Sequence, residues 1–306
     1  MALLEVKGLS KAFVNHHRKI QAVADVSFSL KKGECLGLVG ESGCGKSTTA
    51  NLVARLLKED SGAIYFKGRQ VNGKRLRCIG KEVQMVFQNP ADSFDPRYTV
   101  LQCIMQGAAS YKLYNKATLK AKALELMAYV GLKPSAASMP IVSLSGGECQ
   151  RVAIARALIC EPELIIFDEA TSALDVSVQA QIIELLKKFK TESSTAFLFI
   201  THDLALTAAL CDRIAVMLAG RIVEYGITRE ILDAPRHPYT ENLLNCVMPI
   251  SAEKAPILPS TPMRAPSAAG CPYYAFCPKA VDACGQQMPA LVEKDGRQTA
   301  CFCQNE

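Results

Sequence analysis

The stretch that decides the fold reads Cys35-Leu-Gly-Leu-Val39, followed at once by Gly40-Glu-Ser-Gly-Cys-Gly-Lys-Ser47. Its first part is a short apolar run bounded by glycines, which is typical of a fully buried strand. Residues 46–57 then carry apolar side chains at helical spacing. The glycine-rich segment therefore predicts a loop that joins a buried strand to a helix.

This loop has the spacing of a P-loop, in which Gly and four further residues precede Gly-Lys-Ser. Glycines allow successive backbone N–H groups to turn toward phosphate oxygens, and the positive end of the following helix dipole points at the same anion. Lys46 is expected to reach the β- and γ-phosphates of a nucleotide, and the Ser47 hydroxyl to bind Mg²⁺. Chance produces the pattern in about one chain in a hundred of this length, so a chance glycine-rich loop is the alternative. The residues predicted to bind nucleotide here are Gly40, Glu41, Ser42, Gly43, Cys44, Gly45, Lys46, Ser47 and Thr48.

The rest of the chain alternates between strand and helix patterns. Residues 3–13 and 22–30 alternate apolar and polar side chains, as half-buried antiparallel strands do. Further short apolar runs predict buried strands at residues 83–87, 164–167 and 196–200. Residues 176–190 follow a helical pattern, and residues 91–142 predict a helical insertion without a strand. Strands alternating with helices indicate an α/β fold whose mainly parallel sheet is covered on both faces.

A second phosphate-site element is predicted at Leu164-Ile-Ile-Phe-Asp-Glu169, a buried strand that ends in two acids. Phosphoryl transfer needs an acid that holds magnesium and a residue that orients the attacking water. Asp168 is placed to hold Mg²⁺ through water, and Glu169 lies one step nearer the γ-phosphate. Paired acids at a strand end are often only a solvated turn, but the P-loop upstream favours the functional interpretation.

The segment Leu144-Ser-Gly-Gly-Glu-Cys-Gln150 decides the class. With it the chain resembles the ABC transporter ATPase family, whose signature is Leu-Ser-Gly-Gly followed by Gln or Glu and leads into a helix. A serine-glycine turn that caps a helix explains this segment but not Arg151-Val-Ala-Ile-Ala-Arg-Ala-Leu158, which also matches the family. Cys149 stands where many relatives carry Gln, and we expect little effect because it lies past the signature donors. The resemblance implies that nucleotide is bound by Ser145, Gly146, Gly147 and Glu148.

The other family motifs are present in order, and the resemblance covers roughly residues 3–250. Gln88 is similar to the Q-loop glutamine, which implies a place beside Mg²⁺, and Asp175 to the D-loop aspartate that lies at the nucleotide. His202 is similar to the switch histidine, so the implied catalytic residues are Glu169, His202 and Gln88. Phe13 stands where the family places the aromatic that stacks on adenine, although an aromatic at a strand end is as often a core residue.

The resemblance implies a P-loop (RecA-like) ABC ATPase core with an antiparallel β subdomain, a helical signature subdomain and a small cysteine-containing C-terminal extension. It places the signature on the surface facing away from the chain's own P-loop. Two subunits would then meet head to tail, and each signature would clamp the γ-phosphate of ATP held by the other. Glu169 would polarise the attacking water, and His202 would sense the loss of the γ-phosphate.

The segment Arg236-His-Pro-Tyr-Thr-Glu-Asn-Leu-Leu244 resembles the one that follows the ATPase core in the oligopeptide, dipeptide and nickel importer subfamily. Residues 83–97 are more similar to the second of that subfamily's two ATPase subunits than to the first. We therefore expect an ABC ATPase domain at residues 1–235, with its helical subdomain at about 91–142, and the extension at 236–306. The implied partners are a second ABC ATPase subunit in a heterodimer, two transmembrane permeases and an extracytoplasmic substrate-binding protein. Peptides are the favoured cargo, and nickel or a metal chelate stays open.

Composition is consistent with a peripheral subunit rather than a membrane-spanning or nucleic-acid-binding protein. No run of about 18 uncharged apolar residues occurs, and the N-terminus lacks the pattern of a signal peptide. The net charge of +6 is spread along 306 residues, so we expect no nucleic-acid partner. The expected location is the cytoplasmic face of the bacterial inner membrane.

A soluble ABC-type ATPase of translation or repair is the alternative of another class, but such proteins usually join two cores or carry a long coiled coil. An iron–sulfur redox protein would leave the signature unexplained.

Five of the thirteen cysteines fall between Cys271 and Cys303. Their spacing resembles the C-terminal extension of peptide-importer ATPases, whose four cysteines have been associated with a 4Fe-4S cluster. The implied ligands of the cluster are Cys271, Cys277, Cys284 and Cys301. Four thiolates also suit zinc, although zinc sites favour closer pairs. Cys301 is preferred to Cys303 on its Arg-x-x-Ala-Cys context, and a swap of these two stays open.

Overall fold

The structure, a computed structural model, describes residues 2–15, 18–71, 79–172, 174–247, 264–265 and 269–304. Its strands are β1 (Ala2–Asn15), β2 (Arg18–Lys31), β3 (Cys35–Val39), β4 (Ser61–Phe66), β5 (Arg69–Gln70), β6 (Val83–Val86), β7 (Leu164–Asp168), β8 (Ala196–Thr201), β9 (Arg213–Leu218), β10 (Arg221–Ile227), β11 (Val292–Lys294) and β12 (Arg297–Thr299). Its helices are α1 (Lys46–Val53), α2 (Val100–Ser110), α3 (Lys116–Tyr129), α4 (Gly146–Leu158), α5 (Val176–Glu192), α6 (Leu204–Leu210), α7 (Thr228–Asp233), α8 (Pro238–Val247) and α9 (Asp282–Gln286).

Two sheets carry the architecture. The smaller sheet is antiparallel in the order β2-β1-β4-β5, and the central sheet runs β11-β12-β10-β9-β3-β8-β7-β6. The pairs β3 with β8, β3 with β9, β7 with β8 and β6 with β7 are parallel. This is the α/β architecture with an antiparallel β subdomain that the sequence predicts.

The central strands are buried on both faces, which is why they read as unbroken apolar runs. Every residue of β3, β7 and β8 is buried. Alternate side chains point to opposite faces, so that Cys35 and Val39 pack in one core while Leu36 and Leu38 pack in the other. The first core continues into the helical insertion and the C-terminal extension, and the second into the antiparallel sheet.

The predicted helical insertion at residues 91–142 contains α2 and α3 and no strand longer than the isolated bridge between Thr99 and Pro140. Thr99 caps α2 in a capping box with Gln102, in which each side chain bonds the other's backbone N–H. The bridge from Thr99 to Pro140 brings the start and the end of the insertion together. The chain therefore returns to the central sheet close to where it left.

The first helix is shorter than the spacing of its apolar residues predicts. The predicted helix spans residues 46–57, whereas α1 ends at Val53. Arg55 adopts a left-handed φ of 62°, and the N–H groups of Leu56 and Leu57 both donate to the Asn51 carbonyl. Leu56 is 58% exposed, so its apolar side chain does not belong to a buried helix face, and its place in the helical spacing is misleading.

The end of the chain is joined to the central sheet by two short strands and a buried ion pair. Strand β12 pairs with β10, and β11 with β12, both antiparallel. Arg297 Nη2 lies 2.6 Å from Glu224 Oε1, with both side chains buried. Glu224 also accepts hydrogen bonds from the N–H groups of Arg236 and His237. One carboxylate thus connects the sheet, the segment that enters α8 and the end of the extension. The boundary between 235 and 236 stays a prediction.

In the parts of the chain that the structure describes, no helix combines the length and the apolar character needed to cross a membrane. Residues 235–272 hold eight of the fifteen prolines of the chain, a composition typical of a linker or an irregular extended segment. Part of this stretch, residues 248–263 and 266–268, lies outside the described residues.

Candidate nucleotide-binding site

The predicted P-loop runs from the end of β3 into α1, and two of its glycines are required by close approach. Gly40 has a φ of 150° and Gly45 a φ of 108°. A Cβ atom on Gly40 would lie 2.3 Å from the carbonyl oxygen of Met217, and one on Gly45 would lie 2.2 Å from that of Ala22. A side chain at either position would push the loop away from β9 or β2, so the two glycines let the loop lie directly against these strands.

Lys46 is buried at 3% exposure although its side chain carries a charge. Its Nζ donates to the carbonyl oxygens of Gly40 at 2.8 Å and Glu41 at 2.9 Å. It also lies 3.7 Å from Oε1 of Glu169. A buried ammonium needs such partners, and phosphate oxygens would compete for the same donors with a stronger, charge-assisted hydrogen bond.

Ser47 and Asp168, the residues predicted to lie beside Mg²⁺, are in contact. The Ser47 hydroxyl donates to Asp168 Oδ1 at 2.8 Å. Burial raises the pKa of the Asp168 carboxyl, with the neighbouring Glu169 adding to the rise while the Ser47 hydrogen bond and Lys46 oppose it. A hydroxyl and a carboxylate are oxygen ligands of the type Mg²⁺ prefers, so these residues fit the ion.

Glu169 lies at the centre of the predicted catalytic group. Its backbone has a left-handed φ of 47°, and its N–H donates to the carbonyl of Ile200 at 3.0 Å. Gln88 Nε2 donates to Glu169 Oε2 at 3.2 Å, and His202 Nδ1 lies 3.8 Å from the same oxygen. Strained backbone of this kind persists where the surrounding structure holds it, often at functional sites.

A cavity of about 300 Å³ lies beside the P-loop, and Asp168 and His202 do not line it but contact Ser47 and Glu169, which do. It is lined by Ala22, Ser42, Gly43, Gly45, Lys46, Ser47, Thr48, Gln88 and Glu169. Ala22 was not among the predicted residues, because a small side chain on a strand carries no chemical signal. Phe13 does not line this cavity; its ring is 40% exposed with Lys11 Nζ 5.8 Å from its centroid. A larger cavity of about 670 Å³ lies between α3 and the end of α5 and is lined by none of the residues predicted to bind nucleotide or Mg²⁺.

The signature residues lie away from the chain's own P-loop cavity, at the start of α4. Ser145 is the N-cap and forms a capping box with Glu148. The Ser145 hydroxyl donates to Glu148 Oε2 at 2.8 Å, and hydrogen bonds from Ser145 lower the pKa of the Glu148 carboxyl. None of Ser145, Gly146, Gly147 and Glu148 lines the cavity beside Lys46. The N–H groups at the start of α4 can bind an anion. Such an anion would not be the phosphate of a nucleotide held in this chain's own P-loop cavity.

The D-loop leads into α5, which packs against the signature. Asp175 caps α5 by accepting from Val178 N at 2.9 Å and from Ser177 Oγ at 2.6 Å, and these hydrogen bonds lower its pKa. A Cβ on Gly147 would lie 2.7 Å from Cγ1 of Val178. The absence of a side chain at Gly147 therefore lets the starts of α4 and α5 approach closely.

The cysteines of the extension meet in one place. A cavity of about 10 Å³ is lined by Cys271, Cys277, Cys284, Cys301 and Cys303 together with His237. Burial raises the pKa of Cys271 to about 11 and that of Cys301 to about 12, with neighbouring cysteines adding to the rise. Among the residues that the structure describes, no group of three or more His, Cys, Asp or Glu is arranged as a metal site. The donor set suits a thiolate-bound metal, and a space of this size, close to that of one water, would have to widen for a cluster.

Comparison with known proteins gives the family. Residues 23–172 match the family described as ABC transporter, and residues 223–284 match that described as oligopeptide/dipeptide transporter, C-terminal region. The dipeptide transport ATP-binding protein DppD of Escherichia coli (strain K12) is 40% identical over 316 residues, which is 98% of this chain and 96% of DppD. The chain belongs to the ABC transporter ATP-binding proteins. Members of this family hydrolyse ATP to power transport, and this chain is such an ATPase.

Other ABC ATP-binding proteins agree in sequence and fold. The oligopeptide transport ATP-binding protein AppF of Bacillus subtilis (strain 168) is 42% identical over 288 residues, covering 90% of this chain and 86% of AppF. The ATP-binding cassette MJ0796, solved as a dimer bound to ADP and phosphate in a post-hydrolysis state, is 29% identical with a TM-score of 0.67, covering 74% of this chain and 99% of that one. CbiO1 of Clostridium perfringens, part of the ABC transporter complex cbiONQ, is 26% identical with a TM-score of 0.68, covering 81% of this chain and 96% of that one.

Proposed function

We propose that this chain is the ATP-hydrolysing subunit of a binding-protein-dependent ABC importer that takes up peptides through partner permeases. The observation that carries the proposal is one cavity lined by Lys46, Ser47, Gln88 and Glu169, in a chain whose residues 223–284 match the peptide-transporter C-terminal region. Its relatives AppF and DppD are named for oligopeptide and dipeptide transport. Nickel or a metal chelate is the alternative cargo within the same subfamily.

In the ATP site we assign binding roles to the residues of the P-loop and its neighbours. Lys46 binds the β- and γ-phosphates together with the N–H groups of the loop. Ser47, Asp168 and Gln88 would hold Mg²⁺, which when bound neutralises charge on the phosphate oxygens. Phe13 is assigned to stack on adenine, and the residue is 40% exposed.

For hydrolysis we assign Glu169 the role of orienting and deprotonating the attacking water. Its carboxylate is held between Lys46, Gln88 and His202 at the edge of the cavity. From there it can orient a water molecule and accept its proton as the bond from the γ-phosphorus to the leaving oxygen of ADP breaks. His202 is 55% exposed and free to contact the γ-phosphate and respond to its loss.

We infer that the site is completed by a second subunit. The signature donors of this chain lie outside its own cavity, and MJ0796, a relative of the same fold, was solved as a dimer with nucleotide products. In a head-to-tail pair, Ser145 and the Gly146 and Gly147 amides would contact the γ-phosphate held by the partner, with Glu148 and Asp175 beside it. Closure of the dimer then depends on the γ-phosphate, and hydrolysis of ATP allows the dimer to open.

The proposed partners are a second, different ABC ATPase, two permease subunits and, through them, an extracytoplasmic binding protein. The chain would sit on the cytoplasmic face of the bacterial cell membrane, attached through the permeases. Purification from gently solubilised membranes should recover the two permeases and a second ATPase with it. A stable and fully active homodimer of the purified chain would contradict the heterodimer. Recovery only with ribosomes or nucleoid would favour a soluble ATPase of translation or repair.

We also propose that the extension holds a metal centre through Cys271, Cys277, Cys284 and Cys301. The convergence of these thiols on one cavity supports it. A 4Fe-4S cluster is the first candidate on family resemblance, and a single zinc ion, which needs less space, is the second. Its role would be structural, because ATP-driven import needs no redox step.

Transport assays test the cargo directly. A strain lacking this chain should lose uptake of labelled di- and oligopeptides and regain it with the wild-type chain, while nickel uptake measured in parallel stays unchanged. Loss of nickel uptake with intact peptide uptake would assign the chain to the alternative cargo.

A further inference from the structure

A buried tyrosine of the extension is hydrogen-bonded to the P-loop. The Tyr239 hydroxyl accepts a 3.1 Å hydrogen bond from the N–H of Glu41, 198 residues away in sequence. Tyr239 is 1% exposed, and the hydrogen bond itself is partly buried. The carbonyl of the same residue, Glu41, accepts from Lys46 Nζ at 2.9 Å. The two polar backbone groups of Glu41 are therefore held from opposite sides, one by the extension and one by the phosphate-binding lysine.

Tyr239 is in turn fixed by contacts at the start of α8. Its N–H donates to Nδ1 of His237 at 3.0 Å, and the His237 N–H donates to Glu224 of the central sheet. His237 is 2% exposed. The turn that carries Tyr239 is thus bonded to the sheet, so the hydroxyl reaches the loop from a rigid support.

The ring of Tyr239 also contacts the cysteine-bearing part of the extension. It packs edge to face on Tyr273, with 5.6 Å between ring centroids and 62° between planes. Tyr273 lies two residues after Cys271 and lines the cavity of the five cysteines. A continuous set of contacts therefore runs from that cavity through Tyr273 and Tyr239 to Glu41.

We propose that Tyr239 is a positioning residue for the P-loop, through which the C-terminal extension sets the affinity of the ATP site. The inference rests on the nucleotide-binding role proposed above. A P-loop binds phosphate through N–H groups whose directions follow from the orientation of each peptide unit. Tyr239 fixes the peptide before Glu41, at the entrance of the loop. Without its hydroxyl, the partly buried N–H of Glu41 loses its partner, and the loop has to be ordered by the nucleotide instead.

The test is Tyr239→Phe, which removes the hydroxyl and keeps the ring against Tyr273. Titration of the full chain with a fluorescent ATP analogue and Mg²⁺ should show affinity weakened about three- to tenfold, the value of one hydrogen bond. In the assembled transporter, KM for ATP should rise by the same factor while kcat stays within about twofold, because bound phosphates then order the loop.

Tyr225→Phe is the matched control, since Tyr225 is also buried and its hydroxyl donates to Ser29 O at 3.0 Å, away from the P-loop. It should lower the melting temperature without changing ATP affinity. Equal affinity of Tyr239→Phe and wild type for ATP would overturn the inference and leave the proposed function intact. A wild-type chain that binds no ATP would overturn both.

A measurement on the wild-type chain covers the case in which Tyr239→Phe does not fold. Coupling between two sites is reciprocal, so Mg-ATP should slow amide hydrogen exchange in residues 271–284 as well as in the P-loop. Slowing in the P-loop alone would overturn the inference.

Discussion

The Ser47 hydroxyl donates a 2.8 Å hydrogen bond to Asp168 Oδ1 and so joins the start of α1 to the end of β7. The two residues are 121 positions apart in the chain. Burial keeps the pKa of Asp168 above its usual range, which means that the charged carboxylate costs folding free energy at neutral pH. A bound Mg²⁺ ion would offset this cost, because its positive charge favours the ionised carboxylate.

Asp168→Asn keeps the shape and the acceptor for Ser47 but removes the charge. We expect the Mg²⁺ concentration for half-maximal ATP hydrolysis to rise about tenfold or more. Because the raised pKa destabilises the fold only where the carboxyl is ionised in the unfolded chain, the metal-free variant should melt above wild type at pH 7, and this gain should shrink toward pH 4. Asp233→Asn, an exposed pair partner of Arg229, is the control. If the Mg²⁺ concentration for half-maximal hydrolysis is unchanged, Asp168 does not hold Mg²⁺.

Ser145→Ala should weaken ATP-driven association with the partner ATPase. The substitution removes a helix cap, worth about 1 kcal/mol, and a donor to the partner's γ-phosphate. A hydrogen bond to a charged group makes the expected loss of association about tenfold to a hundredfold, measured by analytical ultracentrifugation with Mg-ATP. Thr99→Ala removes an equivalent capping box at α2 and should cost similar stability without affecting association. If the two variants show the same ATP-driven association, the role of Ser145 is only that of a helix cap.

Glu224→Gln tests the attachment of the extension. It leaves Arg297 buried with an uncompensated charge and weakens two hydrogen bonds to the backbone at 236 and 237. We expect the free energy of unfolding to fall by about 3–5 kcal/mol. Glu241→Gln breaks the exposed ion pair with Lys279 and should cost less than about 1 kcal/mol. The free energies of unfolding of both variants would be measured by chemical denaturation. If Glu224→Gln loses as little stability as Glu241→Gln, the buried pair does not anchor the extension.

Anaerobic purification tests the cysteine site. Iron and acid-labile sulfide should be present in the wild-type chain, with a visible absorption spectrum, and should be lost in Cys271→Ser. Cys160→Ser, a buried cysteine of the main core, should keep them. Substituting Cys301 and Cys303 in turn identifies the fourth ligand, and Cys301 is expected. Zinc without iron would contradict the cluster, and a chain free of metal would contradict the site.

Much of the ATP site follows from the sequence because parallel strands end at one edge of a sheet. Gln88, Glu169 and His202 each follow a short apolar run within two residues, and β6, β7 and β8 are neighbours in the sheet, although only Val86 of β6 is fully buried. The apolar runs predict the strands, and the family motifs predict their ends. The meeting of these three side chains also needs the strand order, which the structure supplies.

Contacts of the extension could not be predicted in the same way. The strands β11 and β12 read Val-Glu-Lys and Arg-Gln-Thr, which carry no apolar alternation, and they are strands because β10 offers an unpaired edge. The hydrogen bond between Tyr239 and Glu41 joins residues whose local patterns indicate only a helix start and a loop. Such pairings depend on tertiary packing, which overrides local propensity.

Turnover of the Glu169→Gln variant tests the central claim most directly. The variant and wild type would be compared in the complete transporter complex, with Glu125→Gln, an exposed acid of α3, as the control. If Glu169 orients and deprotonates the attacking water, the variant binds ATP, remains in the closed dimer, and hydrolyses ATP at least about a hundredfold more slowly, while the control matches wild type. Undiminished turnover by Glu169→Gln would contradict the account.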